Sequence, residues 1–315
     1  MLHPQAAVDA SLTRIVVLLA THNGALWLDE QLQSIAGQTV HRLDICASDD
    51  DSYDATPALL RQWQDFWGAG QFTILRGRRR GFADNFRNLV AASPQGADYY
   101  AFCDQDDVWL PGKLDAAVAR LCTLVGPGLY CERTVIVDSA KRVLGRSPLF
   151  RRPPSFRNAL VQSIAGGNTM VLNRQGFALM REACRRTDFV SHDWFTYLIV
   201  TGAGGTVHYS DQPHVLYRQH GANLVGSNRG VLARAGRLWR AINGQFAAWN
   251  EHNLASLRAC RSLLTEDARE AVDLFAAARS GPLSDRVLNL ERSGVYRQTA
   301  LGQLSLRAAC VMGKL

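Results

Sequence analysis

The 315-residue chain has no long hydrophobic run. The longest apolar stretch near its start, Ile15–Ala20, is six residues, where a bilayer span needs about twenty. No basic segment precedes that stretch and no small-residue cleavage site follows it, so the pattern is not that of a secretion signal. A cytoplasmic protein is the expectation, with the inner face of the cell membrane as a second address. Cysteine pairing is also missing. The seven cysteines, at 46, 103, 122, 131, 184, 260 and 310, are odd in number and form no CxxC pair. That excludes a disulfide framework and a cysteine-based zinc cage, and predicts reduced, mostly buried thiols. There is no internal repeat and no low-complexity tract. What remains is an ordinary globular composition, 47% hydrophobic and 20% charged, with enough length for a large core.

Positive charge is scarce in the first part and concentrated in the last. Residues 1–228 carry 22 basic and 21 acidic side chains, and residues 229–315 carry 13 and 7, so +6 of the net +7 lies in the final segment. An anionic partner for that segment, either a membrane surface or nucleic acid, is one implication; a solvated arginine-rich helical face is the other. Within it, Val231, Ala235, Leu238 and Ile242 share a helical face with Leu232 and Trp239 beside them, and Arg234, Arg237 and Arg240 lie opposite. Such a helix either lies on an anionic bilayer or packs on its own domain. Nothing in the first 228 residues supports nucleic-acid binding.

Short apolar runs alternate with helical patterns through the first half. Strands are expected at Arg14–Ala20, Leu43–Ala47, Phe72–Leu75 and Tyr99–Cys103. Helices are expected at Leu26–Ile35, Pro57–Phe66, Phe82–Ala91 and Lys113–Leu124. This alternation predicts a mostly parallel, Rossmann-like α/β sheet with helices on both faces and a helical C-terminal extension. Further strands are expected at Leu129–Glu132, Val135–Val137, Val143, Asn168–Leu172, and a last pair at Thr206–Tyr209 and His214–Arg218. Helices are expected at Gln175–Cys184 and Trp194–Val200.

Ligands of such sheets sit beyond the carboxyl ends of the strands. Three polar clusters fall there: Thr21-His22-Asn23, Ser48 to Asp54, and Asp104 to Asp107. The last puts three carboxylates into four residues, a density that costs free energy unless a cation offsets it. Asp104 and Asp106, two apart, suit one hard divalent ion, which prefers oxygen ligands and bridges phosphates. A solvated acidic turn or a helix start is the bland alternative.

The succession strand-THN, SDDDSYDAT, FCDQDDVWLPGK, HDW and YRQHGANLVG, over roughly residues 12 to 228, resembles the inverting family 2 glycosyltransferases of GT-A fold. Bacterial rhamnosyltransferases of cell-surface polysaccharide synthesis are its nearest look-alikes. The resemblance implies a nucleotide-sugar half at about 12–125, an acceptor half at about 126–228, and a basic helical region at 229–315. It implies nucleotide-sugar contacts from Thr21, Asn23, Asp49, Asp50, Arg80, Asn85, Asp104 and Gln105. Asp104, Asp106 and His220 would hold Mg or Mn. Asp193 would be the general base. Trp109, Gly167, Asn168, His192 and Trp194 would meet the donor sugar or the acceptor. For Asp49 and Asp50 an Asx-turn stands beside this role, for Asp193 a helix cap, and for the tryptophans the core. The family usually has glycine at position 51; Asp51 there predicts an unusual backbone angle and pairing with Arg76 or Arg78–Arg80.

The expected activity is transfer of a sugar, foremost L-rhamnose from dTDP-rhamnose, to a saccharide hydroxyl, with the acceptor lipid-linked. UDP-galactose, UDP-glucose or UDP-N-acetylhexosamine are the alternative donors. Nucleotidyl transfer is disfavoured because Thr21-His22-Asn23-Gly24 replaces the glycine-rich basic loop such enzymes carry after the first strand. A non-catalytic nucleotide-sugar or glycan-binding module is the reading from another class.

Overall fold

The computed structural model describes residues 13–38, 42–220 and 245–315. The amphipathic pattern at Val231–Ile242 lies outside them. Seven strands form the main sheet: β1 (Arg14–Thr21), β2 (Arg42–Asp49), β3 (Phe72–Arg76), β4 (Tyr99–Cys103), β6 (Gly128–Glu132), β9 (Val171–Asn173) and β10 (Thr206–Ser210), in the order β10-β6-β9-β4-β1-β2-β3. All neighbours run parallel except β9, which is antiparallel to β4 and β6. The expected mostly parallel sheet is therefore the one observed.

Strand β1 explains why the sheet is covered on both faces. Its side chains alternate with a period of two. Ile15, Val17 and Leu19 point into a core shared with α1 (Leu28–Ala36), α2 (Thr56–Phe66) and α4 (Lys113–Leu121). Val16 and Leu18 point into a second core, with α3 (Phe82–Ala92), α6 (Arg174–Arg186) and α7 (His192–Gly202). All five are fully buried. The second core continues through the short α5 (Phe156–Ala159) into α8 (Gln245–Ala259), α9 (Glu266–Ala277), α10 (Leu283–Ser293) and α11 (Ala300–Val311), which contribute Leu257, Phe275, Leu290 and Leu306. Six of the seven cysteines are buried and Cys122 is exposed; all are free thiols.

The last two expected strands are both present, in different sheets: β10 joins β6 at the edge of the main sheet, whereas β11 (Val215–Arg218) enters a second sheet of order β5-β11-β7-β8. That sheet also contains β5 (Val108–Trp109), β7 (Val135–Val137) and β8 (Val143–Arg146). One sequence expectation needs correction: the expected strand Asn168–Leu172 begins as a 3₁₀ turn over Gly167–Thr169, turns extended at Met170 and is a strand from Val171. The turn is locked by hydrogen bonds from the Thr169 amide (3.1 Å) and hydroxyl (2.8 Å) to the Gly166 carbonyl.

Candidate active site

After β1 the chain moves to β2 and β3 on one side; after β3 it crosses to β4 on the other. The strand order reverses between β1 and β4, which is where a doubly wound sheet opens a ligand crevice. The loop after β1 and the acidic loop after β4 meet there. The Gln105 side-chain amide fastens them, accepting from the His22 amide (2.8 Å) and donating to the His22 carbonyl (2.9 Å). A Cβ on Gly24 would lie 2.1 Å from the Gln105 Oε1, so this clamp requires glycine. Gln105 thus organises the crevice whatever else it touches.

Most residues that sequence reasoning assigned to nucleotide contacts are hydrogen-bonded within the loops after β1, β2 and β3. Asp49 accepts from the Thr21 hydroxyl (2.8 Å), the Ser52 amide (2.9 Å) and the Ser52 hydroxyl (2.6 Å), so its carboxylate ties the end of β1 to the loop after β2, three residues on and not as an Asx-turn. Asp50 accepts from the amides of Arg79 (2.7 Å) and Gly81 (2.9 Å) and shapes the basic loop after β3. Asp51 has φ +64, as its departure from glycine predicts. It pairs with Arg79 and, at 3.7 Å, with Arg76, and the Arg79 guanidinium holds its carboxyl below the usual range. Asn23, also left-handed at φ +50, accepts from the Tyr53 amide at 3.0 Å. Arg80 is exposed on the loop. Asn85 is buried, its amide donating to the Ser48 carbonyl (2.9 Å), so it braces the strand ends from beneath.

The acidic loop is built from both sheets. β5 follows it at once and pairs antiparallel with β11, Trp109 opposite Val215 and Val108 opposite Leu216. That register returns the end of β11 to the acids. Asp107, buried, accepts from the Asn168 amide side chain and from the Arg218 amide (3.2 Å). Asp106 Oδ2 lies 2.9 Å from His220 Nε2. The His220 ring stacks on Trp27 with centroids 5.4 Å apart. Arg218, 1% exposed, donates to the carbonyls of Asp106 (3.0 Å) and Ser139 (3.0 Å), bonds Glu30, and lies 4.4 Å over the Trp27 ring. Trp27, Glu30 and Arg218 were missed from sequence. Their signal was the two-residue strand β5, too short to carry a periodicity. Arg218→Met strands two carbonyls and a carboxylate in a partly buried setting; we expect a loss of about 2–4 kcal/mol in urea melts. Arg218→Lys should recover only part of it, because an ammonium cannot reproduce the guanidinium fork.

Charge in this loop is only partly compensated, by His220 and Arg218 beside Asp106 and Asp107. Burial first, then the carboxylates of Asp107, Asp106 and Asp193, push the Asp104 carboxyl well above the usual range. Burial also raises Asp106, against the opposing pull of His220. Asp107 is raised to about 7 by burial and by Asp106, with Asn168 and the Arg218 amide working the other way. Besides the buried Arg218, a second buried cation, Lys113, lies 3.8 Å over the Trp109 ring with no hydrogen-bond acceptor; burial lowers it to about 8.

Asp193 reaches the same place from the other half. It sits in the first turn of α7, half-buried, its Oδ1 accepting from the Trp194 amide at 2.7 Å. Ser191, not Asp193, occupies the N-cap. Its charge is close enough to Asp104 to raise that carboxyl. His192 is buried between Phe86, stacked at 3.6 Å, and the edge of Phe102, with neither ring nitrogen hydrogen-bonded. Burial lowers it to about 4, so the ring is neutral at physiological pH. A Cβ on Gly167 would stand 1.8 Å from its Nε2, so that glycine is required by close packing. Trp109 and Trp194 are corrections: 2% and 7% exposed, they belong to the cores, with the Trp194 indole donating to the Ala159 carbonyl at 2.6 Å. Asn168, through its bond to Asp107, organises the acidic loop.

The family model for glycosyl transferase family 2 matches residues 16–186. That is more than half of the chain, and the protein belongs to this family: it is a glycosyltransferase. Over 230 residues it is 28% identical to the dTDP-rhamnosyl transferase RfbG of Shigella flexneri, covering 70% of this chain and 78% of that protein. An uncharacterized protein of Mycobacterium tuberculosis is 24% identical over 208 residues; the match covers 65% of this chain and 58% of that relative's length. Among solved structures, TarS residues 1–349 of S. aureus in complex with UDP superposes with a TM-score of 0.55 at 13% identity, over 96% of this chain and 89% of that one. The same protein with UDP-GlcNAc gives 0.51 at 13% identity, over 90% and 93%. These likenesses bear out the GT-A fold.

Proposed function

We propose that this glycosyltransferase is a metal-dependent, inverting enzyme that moves L-rhamnose from dTDP-rhamnose to a hydroxyl of a lipid-linked saccharide, in O-antigen or other cell-surface polysaccharide synthesis at the inner face of the membrane. The single observation that supports this chemistry is the pairing of Asp106 with His220 at 2.9 Å in the acidic loop at the strand-order reversal, where Asp104 also feels the charge of Asp193. The choice of rhamnose is supported by the relative of 28% identity described as a dTDP-rhamnosyl transferase. Residues 12–125 would form the donor half and 126–228 the acceptor half, with 229–315 as the basic helical region.

Among the described residues, no three His, Cys, Asp or Glu side chains already converge as a metal cage. The donor set nevertheless fits Mg or Mn. Asp104 carries repulsion from three neighbouring carboxylates, and Asp106 and His220 present an oxygen and a nitrogen 2.9 Å apart. Asp104, Asp106 and His220 would hold the ion, and when bound it would stabilise the leaving nucleoside diphosphate. Trp27 fixes the plane of His220 by stacking, and Arg218 fixes the Asp106 backbone. The exposed Arg78 and Arg80 stand on the loop after β3, where guanidinium forks suit phosphate oxygens. Asp193, arriving from α7, would take the proton of the acceptor hydroxyl as that oxygen attacks the sugar carbon opposite the leaving group.

Thermal shift tests the donor assignment. At 100 times its Kd a ligand of the native state adds about 2.7 kcal/mol of stability, worth several degrees in a chain of this size. The expected result is a rise with dTDP-rhamnose in Mn that chelator abolishes, and none with UDP-galactose, UDP-glucose or UDP-N-acetylglucosamine. A rise confined to a UDP-sugar would replace the donor. No rise with any of the four would overturn the site.

A further inference from the structure

Helix α11 is apolar on two sides. Leu306 and Cys310 are each 1% exposed and face the core. On the opposite side Leu301 is 71% exposed, Leu304 64%, Val311 52% and Met312 56%, with exposed Ala308 among them. Positions 301, 304, 308, 311 and 312 follow helical spacing, so they make one continuous stripe. A stripe of that width on a folded domain calls for a partner. The charge around it says which. Over α10, α11 and the turn between them, residues 283 to 315, there are five basic residues, Arg286, Arg292, Arg297, Arg307 and Lys314, against two acids, Asp285 and Glu291, a net of +3. Arg292 and Arg307 are exposed. A second copy would bring two surfaces of net positive charge together. A surface that is apolar beneath and anionic on top satisfies both features at once.

We propose that the exposed face of α11 seats on an anionic lipid bilayer, with Leu301, Leu304, Val311 and Met312 in the interfacial zone and Arg307 at the headgroups. For its use this rests on the reading that the acceptor is lipid-linked, but the contact itself can be tested apart from it. The helix is firmly coupled to the catalytic body. In the segment just before it, the Tyr296 hydroxyl donates to the Pro153 carbonyl (2.6 Å), the Arg297 Nε to the Val161 carbonyl (3.2 Å) and the Gln298 amide to the Gln162 side chain (2.9 Å). The chain from 153 to 162 leads directly into Gly166-Gly167-Asn168 at the site. Seating α11 would hold the acceptor half at the level where a lipid-borne saccharide emerges.

The test is flotation of the full chain with phosphatidylcholine vesicles, with and without phosphatidylglycerol. Wild type is expected to float with the anionic vesicles only. Leu301→Ser with Leu304→Ser is expected to weaken that binding at least about tenfold. Both side chains are mostly exposed, so the fold should survive, which circular dichroism checks. Arg307→Glu, which leaves the apolar stripe intact, should weaken binding to anionic vesicles as well. Equal flotation of wild type and the double variant would overturn the proposal. So would a dimer in sedimentation that the double variant converts to monomer, which would assign the stripe to a second copy. Transfer to a short soluble saccharide is read in parallel. If it fails in wild type the reading of the acceptor is at fault, whereas loss of flotation with transfer intact concerns the bilayer contact alone.

Discussion

Asp193→Asn is expected to cut turnover by about 10²–10⁴-fold, the usual contribution of a positioned general base, while the Mn-dependent rise in melting temperature with donor stays as in wild type. The substitution is nearly isosteric, and the amide oxygen can still accept from the Trp194 N–H that Oδ1 now accepts at 2.7 Å. The first turn of α7 therefore keeps its hydrogen bond and the fold keeps its core. What is lost is the ability to take a proton. If Asp193 serves only the helix terminus, the outcome inverts: melting drops by a fraction of a kcal/mol as the charge near the helix dipole disappears, and turnover holds. Turnover within about threefold of wild type would remove Asp193 from the chemistry. The measurement is initial rate under saturating donor beside a thermal melt of the same preparation.

The legible parts of the sequence were those with a regular period. Strand β4 was expected at Tyr99–Cys103 and occurs there, because five apolar residues run straight into the acids. Helix α3 was expected to one residue of its observed end. The acidic loop could be assigned to the same edge as the loops after β1 and β2 because a parallel sheet fixes where strand ends gather, whereas Asp193, at the start of a helix that follows another helix, was named only by the family resemblance. Illegible were features decided by a partner distant in sequence. β5 is two residues long and exists because β11 lies beside it. Arg218, buried against Trp27, Glu30 and the Asp106 carbonyl, looks from sequence like any surface arginine. Trp109 and Trp194 looked like sugar platforms because they adjoin the motifs, yet an indole beside an acid is equally well placed to floor the loop, and burial decides for the floor. Asp107 shows the same ambiguity: its position in the acid run suggests a ligand, and only its bonds to Asn168 and the Arg218 amide reveal that it holds the loop.

Asp104→Asn is the second large effect, and its signature is two opposite signs. In the metal-free chain Asp104 is a cost: burial and three neighbouring carboxylates disfavour its charge and raise its pKa. Its folded pKa lies above the unfolded value, so the folded chain binds the proton more tightly and loses stability as pH rises from the unfolded pKa to the folded one. Neutralising the group removes that penalty, and the metal-free variant should melt no lower than wild type at neutral pH. With metal and donor present the sign reverses. A divalent ion supplies several kcal/mol of charge stabilisation to the departing diphosphate; at ~1.36 kcal/mol per factor of ten, loss of a ligand carboxylate should cost about 10²–10⁴-fold in turnover and abolish the Mn-dependent melting shift. Asp107→Asn separates a ligand from a brace. Asp107 accepts from Asn168 and from the Arg218 amide, so its replacement should lower the melting temperature while the Mn-dependent shift survives. If Asp104→Asn instead lowers the metal-free melting temperature and leaves the Mn-dependent shift intact, Asp104 is a structural acid. The metal site would then have to be sought around Asp106 and His220 alone.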